Sequence, residues 1–344
     1  MKNFCLLVLC YVFPMWIFAD IAKFSVVVLS ADDLKPIEGV QVHANFWENN
    51  GWKAWTQAPH VDIDQQTTDN NGFCRLKGKT NCGNVCCFVS VPPKGFYVGD
   101  SWGTDFKKKN IFGVWQPDNL VVTLRLQRVE NPIPLFVKQL FSRASASVSS
   151  NYFDIGKGKM QFDMVKGSFL PPIGKGEHAD ICFTRLKRED LGIGTTFRGS
   201  ITAPAYKDSM SIRFTGEDNG LVEVPSKKTA GIKIRTAPED GYTPDYLVTK
   251  GRDKSVKYFT SSNPDRNFVF RIRTKKDKNG KIVSAYYGKI YGDIVIKKPY
   301  GVEELVAAPS FMYYLNPTPL DRNLEWDMKT NLCPNPGSLV QKQP

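Results

Sequence analysis

Gly39-Val-Gln-Val-His-Ala-Asn-Phe46 decides the fold class. Val40, Val42, Ala44 and Phe46 alternate with polar side chains, the period of two expected of a half-buried β-strand. Upstream, Phe24-Ser-Val-Val-Val-Leu29 is a β-branched run followed by turn residues from Ser30 to Pro36. Downstream, Thr67-Thr-Asp-Asn-Asn-Gly-Phe-Cys-Arg-Leu76 sets an Asn-Gly pair between two extended runs, which predicts a hairpin. Cys87–Val91 and Leu120–Leu126 read as two further strands. At least five strands in about a hundred residues, without helical periodicity, predict a β-sandwich.

The second half uses the same vocabulary. Ala179–Leu186 reads as a strand. Ser209–Thr215 and Leu221–Val224 flank Gly216-Glu-Asp-Asn-Gly220, a predicted hairpin. Phe268–Thr274 and Ile282–Tyr287 flank Asp277-Lys-Asn-Gly280, a second one. Only Lys187–Leu191 and Val302–Val306 carry brief helical patterns. Between the halves, residues 129–150 contain Pro132, Pro134 and a Ser/Ala tract, which predicts a linker. The expected class is all-β: a sandwich over 20–128, a linker over 129–150, a β-rich domain over 151–335 and a tail over 336–344.

Val26-Val-Val28, Lys35-Pro-Ile-Glu-Gly-Val-Gln-Val42 and Thr68-Asp-Asn-Asn-Gly-Phe73 resemble the turn-and-strand pattern of the carboxypeptidase regulatory-like domain. That resemblance implies a transthyretin-like, Ig-like sandwich over about residues 24 to 128, and no chemistry. The family glycine two positions before Lys35 is absent. Pro171–Phe183 and Phe311–Asp327 are similar to an uncharacterised family of secreted proteins from Lentisphaerae, Verrucomicrobia and their relatives. Over nearly the whole mature chain this implies a regulatory-like sandwich ahead of the same second domain, in a bacterial exported setting. It brings no activity with it.

The 344 residues suffice for two domains, and 42% hydrophobic with 23% charged residues is a globular balance. Residues 1–19 combine Lys2, an apolar run from Phe4 to Phe18 interrupted by Pro14, and a terminal Ala19. This run is shorter than a membrane span and predicts a signal peptide cleaved near Ala19. The expected location is therefore secreted, periplasmic or cell-surface, with no membrane span after cleavage.

Export leaves Cys74, Cys82, Cys86, Cys87, Cys182 and Cys333 in an oxidising compartment, where they are disulfide candidates with 15 possible pairings. Cys86 and Cys87 are adjacent on a strand and point to opposite faces. Cys182 and Cys333 are the second domain's pair, and a bond between them would tie its C-terminal segment to an early strand. The cysteine spacing lacks the tight pairs of zinc sites, and the sequence calls for neither metal nor cofactor.

The sequence carries no G-x-S-x-G, H-E-x-x-H or phosphate-loop motif. Gly174-Lys-Gly-Glu-His-Ala179 has dinucleotide-binding spacing, but Pro171-Pro172 precedes it and a strand follows, so it reads as a turn. Asp62/Asp64, Glu303/Glu304 and Asp321 with Glu325 and Asp327 are the carboxylates a glycosidase would draw on. Trp47, Trp52 and Trp55 surround an Asn-Gly turn, where indole faces either stack on sugar rings or pack in the core. Net charge is +12. Within 227–298 there are 18 basic and 7 acidic residues, an excess that attracts anionic polysaccharide or an anionic cell envelope. Export and the lack of a recognition motif argue against nucleic acid. The expected function is an exported non-catalytic binding or structural protein. The alternative is a hydrolase, or an accessory to extracellular polysaccharide breakdown. Oligomeric state is not legible.

Overall fold

The alternation at Val40–Phe46 becomes a strand whose even-numbered side chains are buried and whose odd-numbered ones are half-buried. The same pattern recurs throughout a computed structural model of the chain. It describes residues 20–48, 60–97, 101–110, 113–117, 120–140, 159–186, 188–196, 201–224, 234–263, 265–297 and 308–334. The signal-peptide segment, Trp52, Trp55, Glu303 and Glu304 lie outside these. Among the described residues there is no helix.

The chain divides into two units between Arg128 and Val129. The first holds β1 (Ile21–Ser30), β2 (Gln41–Trp47), β3 (Val61–Thr67), β4 (Phe73–Lys79), β5 (Asn84–Val91), β6 (Ser101–Asp105), β7 (Lys108–Lys109), β8 (Trp115–Gln116) and β9 (Val121–Leu126). One sheet has the order β4-β1-β9, and the other β3-β2-β5-β6. Phe24, Val26, Phe46, Leu76, Val85 and Leu124 fill the space between them. The Asn71-Gly72 turn forms, but it is not a hairpin: β3 pairs with β2 and β4 with β1, in opposite sheets. Gly72 has φ +68°, and a Cβ there would lie 2.5 Å from the Val28 carbonyl oxygen. Only glycine fits that close approach. Where β3 and β4 run side by side, Asp62 and Asp64 accept the backbone N–H groups of Lys79 and Lys77, at 2.7 and 2.9 Å.

The second unit opens with β10 (Ile133–Leu140), inside the expected linker. Linker composition therefore misleads over these residues; the remainder, 141–150, lies outside the described ones. Pro134 is tolerated because β10 pairs irregularly with its parallel neighbour around Ile133 and Leu135. The strands that follow are β11 (Lys159–Asp163), β12 (Ser168–Phe169), β13 (Ile181–Arg185), β14 (Glu189–Thr195), β15 (Thr202–Phe214), β16 (Gly220–Val224) and β17 (Asp245–Arg252). The last are β18 (Tyr258–Thr260), β19 (Asn267–Lys276), β20 (Ile282–Ile290), β21 (Val295–Lys297), β22 (Ala308–Leu315) and β23 (Trp326–Asn331).

One sheet runs β16-β19-β20-β22-β10-β23, with β21 on β22; the other runs β12-β11-β13-β15-β17-β18, with β14 on β15. Phe162, Phe183, Ile212, Phe270, Tyr313 and Leu315 belong to the core between them. The Asp277–Gly280 hairpin joins β19 and β20 as expected. The Gly216–Gly220 hairpin does not form, because this turn carries the chain from β15 in one sheet to β16 in the other. The Asn219 amide holds it by donating to the Thr215 carbonyl and accepting the Thr274 N–H. The helical pattern at Lys187–Leu191 falls largely on β14, whose pairing to β15 overrides local propensity.

Candidate functional site

The tryptophans separate. Trp47 is half-buried at the end of β2, and its carbonyl accepts the Thr80 hydroxyl at 2.6 Å and the Cys82 thiol at 3.1 Å. Trp115 is buried and donates its indole N–H to the Thr80 carbonyl at 2.8 Å. Trp102 packs on Phe24, with ring centroids 5.7 Å apart. Trp102 and Trp115 thus serve the core of the first unit.

None of the six candidate cysteines is disulfide-bonded in the structure, Cys182 and Cys333 included. Topology explains the last case. Cys182 lies between the core residues Ile181 and Phe183 of β13, so its side chain points to the outer face of that sheet. Cys333 follows β23, an edge of the opposite sheet. Burial pushes the Cys87 thiol up to about 12 and the Cys74 thiol up to about 11.

The described carboxylates that a glycosidase would need serve backbone amides. Asp62 and Asp64 bind the β4 amides. Glu325 accepts the N–H groups of Glu130 and Asn131, at 2.9 and 2.6 Å. Asp321 accepts the Asn323 N–H and the Asn316 amide, and Asp327 accepts Lys329 and Thr330 N–H groups. The Gly174–Ala179 turn is explained the same way, since Glu177 and His178 donate their N–H groups to Asp163, both at 3.0 Å. Asp163 and Asp180, from one sheet, grip Arg273 of the other at 2.6 and 2.8 Å. Burial works to raise the Asp163 carboxyl, but the amides and Arg273 outweigh it and hold it low. At Asp180 burial prevails and the carboxyl is raised despite Arg273.

A different arrangement lies where β15 and β17 outrun the core. On β15, Phe214, Ile212 and Met210 face inward, and the same alternation continues to Asp208 and Tyr206. On β17, Val248 is followed on that face by Lys250 and Arg252, which pair across from Asp208 and Tyr206. Arg185 extends the face from β13 and Tyr258 from β18. A hydrophobic face thus becomes a basic and aromatic one.

Asp208 is its buried acid. It takes a two-pronged grip from Arg188, Nε at 2.9 Å and Nη2 at 2.7 Å, and a third bond from Arg185 at 3.3 Å. Burial opposes its ionisation, yet Arg188 and Arg185 more than compensate and hold the carboxyl below its ordinary value. The Arg188 guanidinium lies 4.3 Å from the Tyr206 ring centroid, and Arg252 lies 6.0 Å from the same centroid. Arg252 is also 4.8 Å from the Tyr258 ring and donates Nη2 to its hydroxyl. Burial raises the Tyr206 phenol, with Asp208 adding to that and the two arginines opposing it. The β17–β18 turn adds Lys254 and Lys257, shaped by Asp253, which accepts the Ser255 and Lys257 N–H groups. Arginines stacked on tyrosines present cationic donors beside flat apolar rings, a surface suited to an anionic ligand with a stackable face.

The basic excess over 227–298 covers Lys250, Arg252, Lys254 and Lys257 but misses Arg185, Arg188, Tyr206, Asp208 and their tyrosine stacking. The available signal is the alternation Tyr206, Asp208, Met210, Ile212, Phe214, where one strand face changes from aromatic and charged to apolar.

Neither a family model nor a curated protein matches the chain. Among solved structures, the shaft pilin SpaA from Lactobacillus rhamnosus GG aligns over 75% of this chain and 89% of its own, at 10% identity and a TM-score of 0.23. The full-length major pilin SpaD from Corynebacterium diphtheriae aligns over 88% and 83%, at 11% identity and a TM-score of 0.25. A streptococcal ancillary pilin aligns over 54% and 58%, at 13% and 0.23. At these scores the likeness bears on neither detailed topology nor activity.

Proposed function

We propose that this chain is an exported, non-catalytic binding or structural protein whose second unit binds an anionic polysaccharide, free or as part of a cell envelope. The observation that carries the reading is Arg188 and Arg252 within 4.3 and 6.0 Å of the one Tyr206 ring, with Asp208 held by Arg188 and Arg185 beside it. Such a surface concentrates anions, and its tyrosines offer rings on which sugars stack. The signal-like sequence at 1–19 supports export. The structural duties of Asp62, Asp64, Asp321, Glu325 and Asp327 support a role without turnover.

The test is retention of the full mature chain on sulfated and carboxylated polysaccharide columns beside a neutral one. Expected is retention on the anionic columns, eluted by salt and weakened in an R252E/K257E double variant. Equal passage through all three columns, or retention indifferent to the double variant, overturns the reading. New reducing ends released from any of the polysaccharides overturn its non-catalytic part.

A further inference from the structure

Arg188 and Arg252 lie near one tyrosine ring and differ in what fills their forks. The Nε and Nη2 of Arg188 hold both oxygens of Asp208. On Arg252 the corresponding Nη2 donates to the Tyr258 hydroxyl, while Nε is enclosed and has no hydrogen-bond partner. One phenol oxygen answers one of two parallel donors. Among the described residues no carboxylate pairs with Arg252. The group over this fork is itself open to solvent. Tyr258 is 72% exposed, and it belongs to a three-residue edge strand whose side chains all face solvent.

We propose that the fork of Arg252 is the seat for a sugar carboxylate, a hexuronate residue of the ligand, and that Tyr258 is a cover that swings aside to admit it. The inference rests on the reading that this face binds anionic polysaccharide. A carboxylate presents two coplanar oxygens to a planar fork, as Asp208 does to Arg188 within the same cluster. The displaced Tyr258 ring and the fixed Tyr206 ring stand beside the seat, positioned to stack on a pyranose. Sulfate esters would bind the surrounding lysines as point charges without needing this fork.

The experiment is calorimetric titration of the full mature chain with an oligogalacturonate, a sulfated oligosaccharide of matched charge, and a neutral oligogalactan. Three proteins are compared: the native sequence, Arg252→Lys and Tyr258→Phe. Arg252→Lys keeps the charge and loses the fork. It is expected to weaken oligogalacturonate binding by about tenfold, the loss of a charged hydrogen bond, and to leave the sulfated ligand within about twofold. Tyr258→Phe releases the cover and is expected to bind oligogalacturonate at least as tightly as the native chain. It also serves where Arg252→Lys fails to fold, because weaker binding by Tyr258→Phe makes the hydroxyl a ligand contact and overturns the cover. Oligogalacturonate binding unchanged in Arg252→Lys overturns the fork and leaves the anion-binding face intact. No binding of either anionic ligand by the native chain overturns both.

Discussion

The side-chain amide of Asn331 and the backbone of Val137 hydrogen-bond in both directions. Asn331 Nδ2 donates to the Val137 carbonyl at 2.9 Å, and its Oδ1 accepts the Val137 N–H at 2.9 Å. A side chain thus imitates a strand where β23 leaves regular pairing with β10. The same Oδ1 also accepts the Cys333 N–H, which fixes the turn after β23. Asn331→Ala strands both backbone groups of a buried strand residue. It should destabilise the second unit by about 1–3 kcal/mol in urea unfolding. An unchanged midpoint would show that water replaces the amide.

Arg273 should be costlier to lose. It sits at φ 54°, in a bulge of β19, and its guanidinium joins Asp163 and Asp180 across the sandwich. Arg273→Ala leaves two buried carboxylates without their cation. The expected loss is about 3–5 kcal/mol, read by denaturant titration. Arg273→Ala combined with Asp180→Asn should recover part of it, because one of the uncompensated charges is gone.

Acid should weaken the Arg185–Arg188–Asp208 cluster in a defined direction. The Asp208 carboxyl is held below its ordinary value of 3.8 in the fold, so its stabilisation is complete above that pH. It drains as pH falls through the lower folded value. Asp163 works in the same sense and Asp180 in the opposite one, so Asp208 is the cleaner probe. The stability gap between the native chain and Asp208→Asn should be large at about pH 7 and much smaller at about pH 2. A gap that widens in acid would contradict the assignment.

The thiols should react in order of access. Cys74, Cys87, Cys182 and Cys333 are buried, whereas Cys82 and Cys86 are half-buried. A short alkylation of the folded protein, mapped by mass spectrometry, should mark Cys82 and Cys86 first. Cys87 should label only on unfolding, because burial keeps its thiol protonated up to about 12 and closes it to reagent. Early modification of Cys87 would show that the first unit opens readily.

Strands were readable in this sequence, and their partners were not. Gly39–Phe46 and Leu120–Leu126 carry their strand character locally, in side-chain alternation, and the Asp277–Gly280 hairpin carries its pairing in turn residues that close on themselves. Asn71-Gly72 and Gly216–Gly220 have equally good turn chemistry, yet each carries the chain between facing sheets. What distinguishes them is tertiary: the Val28 carbonyl pressed against Gly72, and Arg271 donating to the Asp218 carbonyl. Pro132, Pro134 and the nearby serines hid β10, whose burial depends on strands from the far end of the unit. The candidate site escaped for a related reason. Basic composition pointed to Arg252, but only the register of β15 against β17 sets Tyr206 opposite it.

Strand β10 has two neighbours in its sheet, β22 on one side and β23 on the other. The earliest strand of the second unit therefore waits for the latest two. A chain that emerges in order, from a ribosome or through a translocation channel, holds β10 unpaired until Ala308–Leu315 has arrived, and open along its other edge until Trp326–Asn331 follows. Such distant closure makes for slow, all-or-none assembly, and through that interval β10 is an open strand edge for a chaperone to shield.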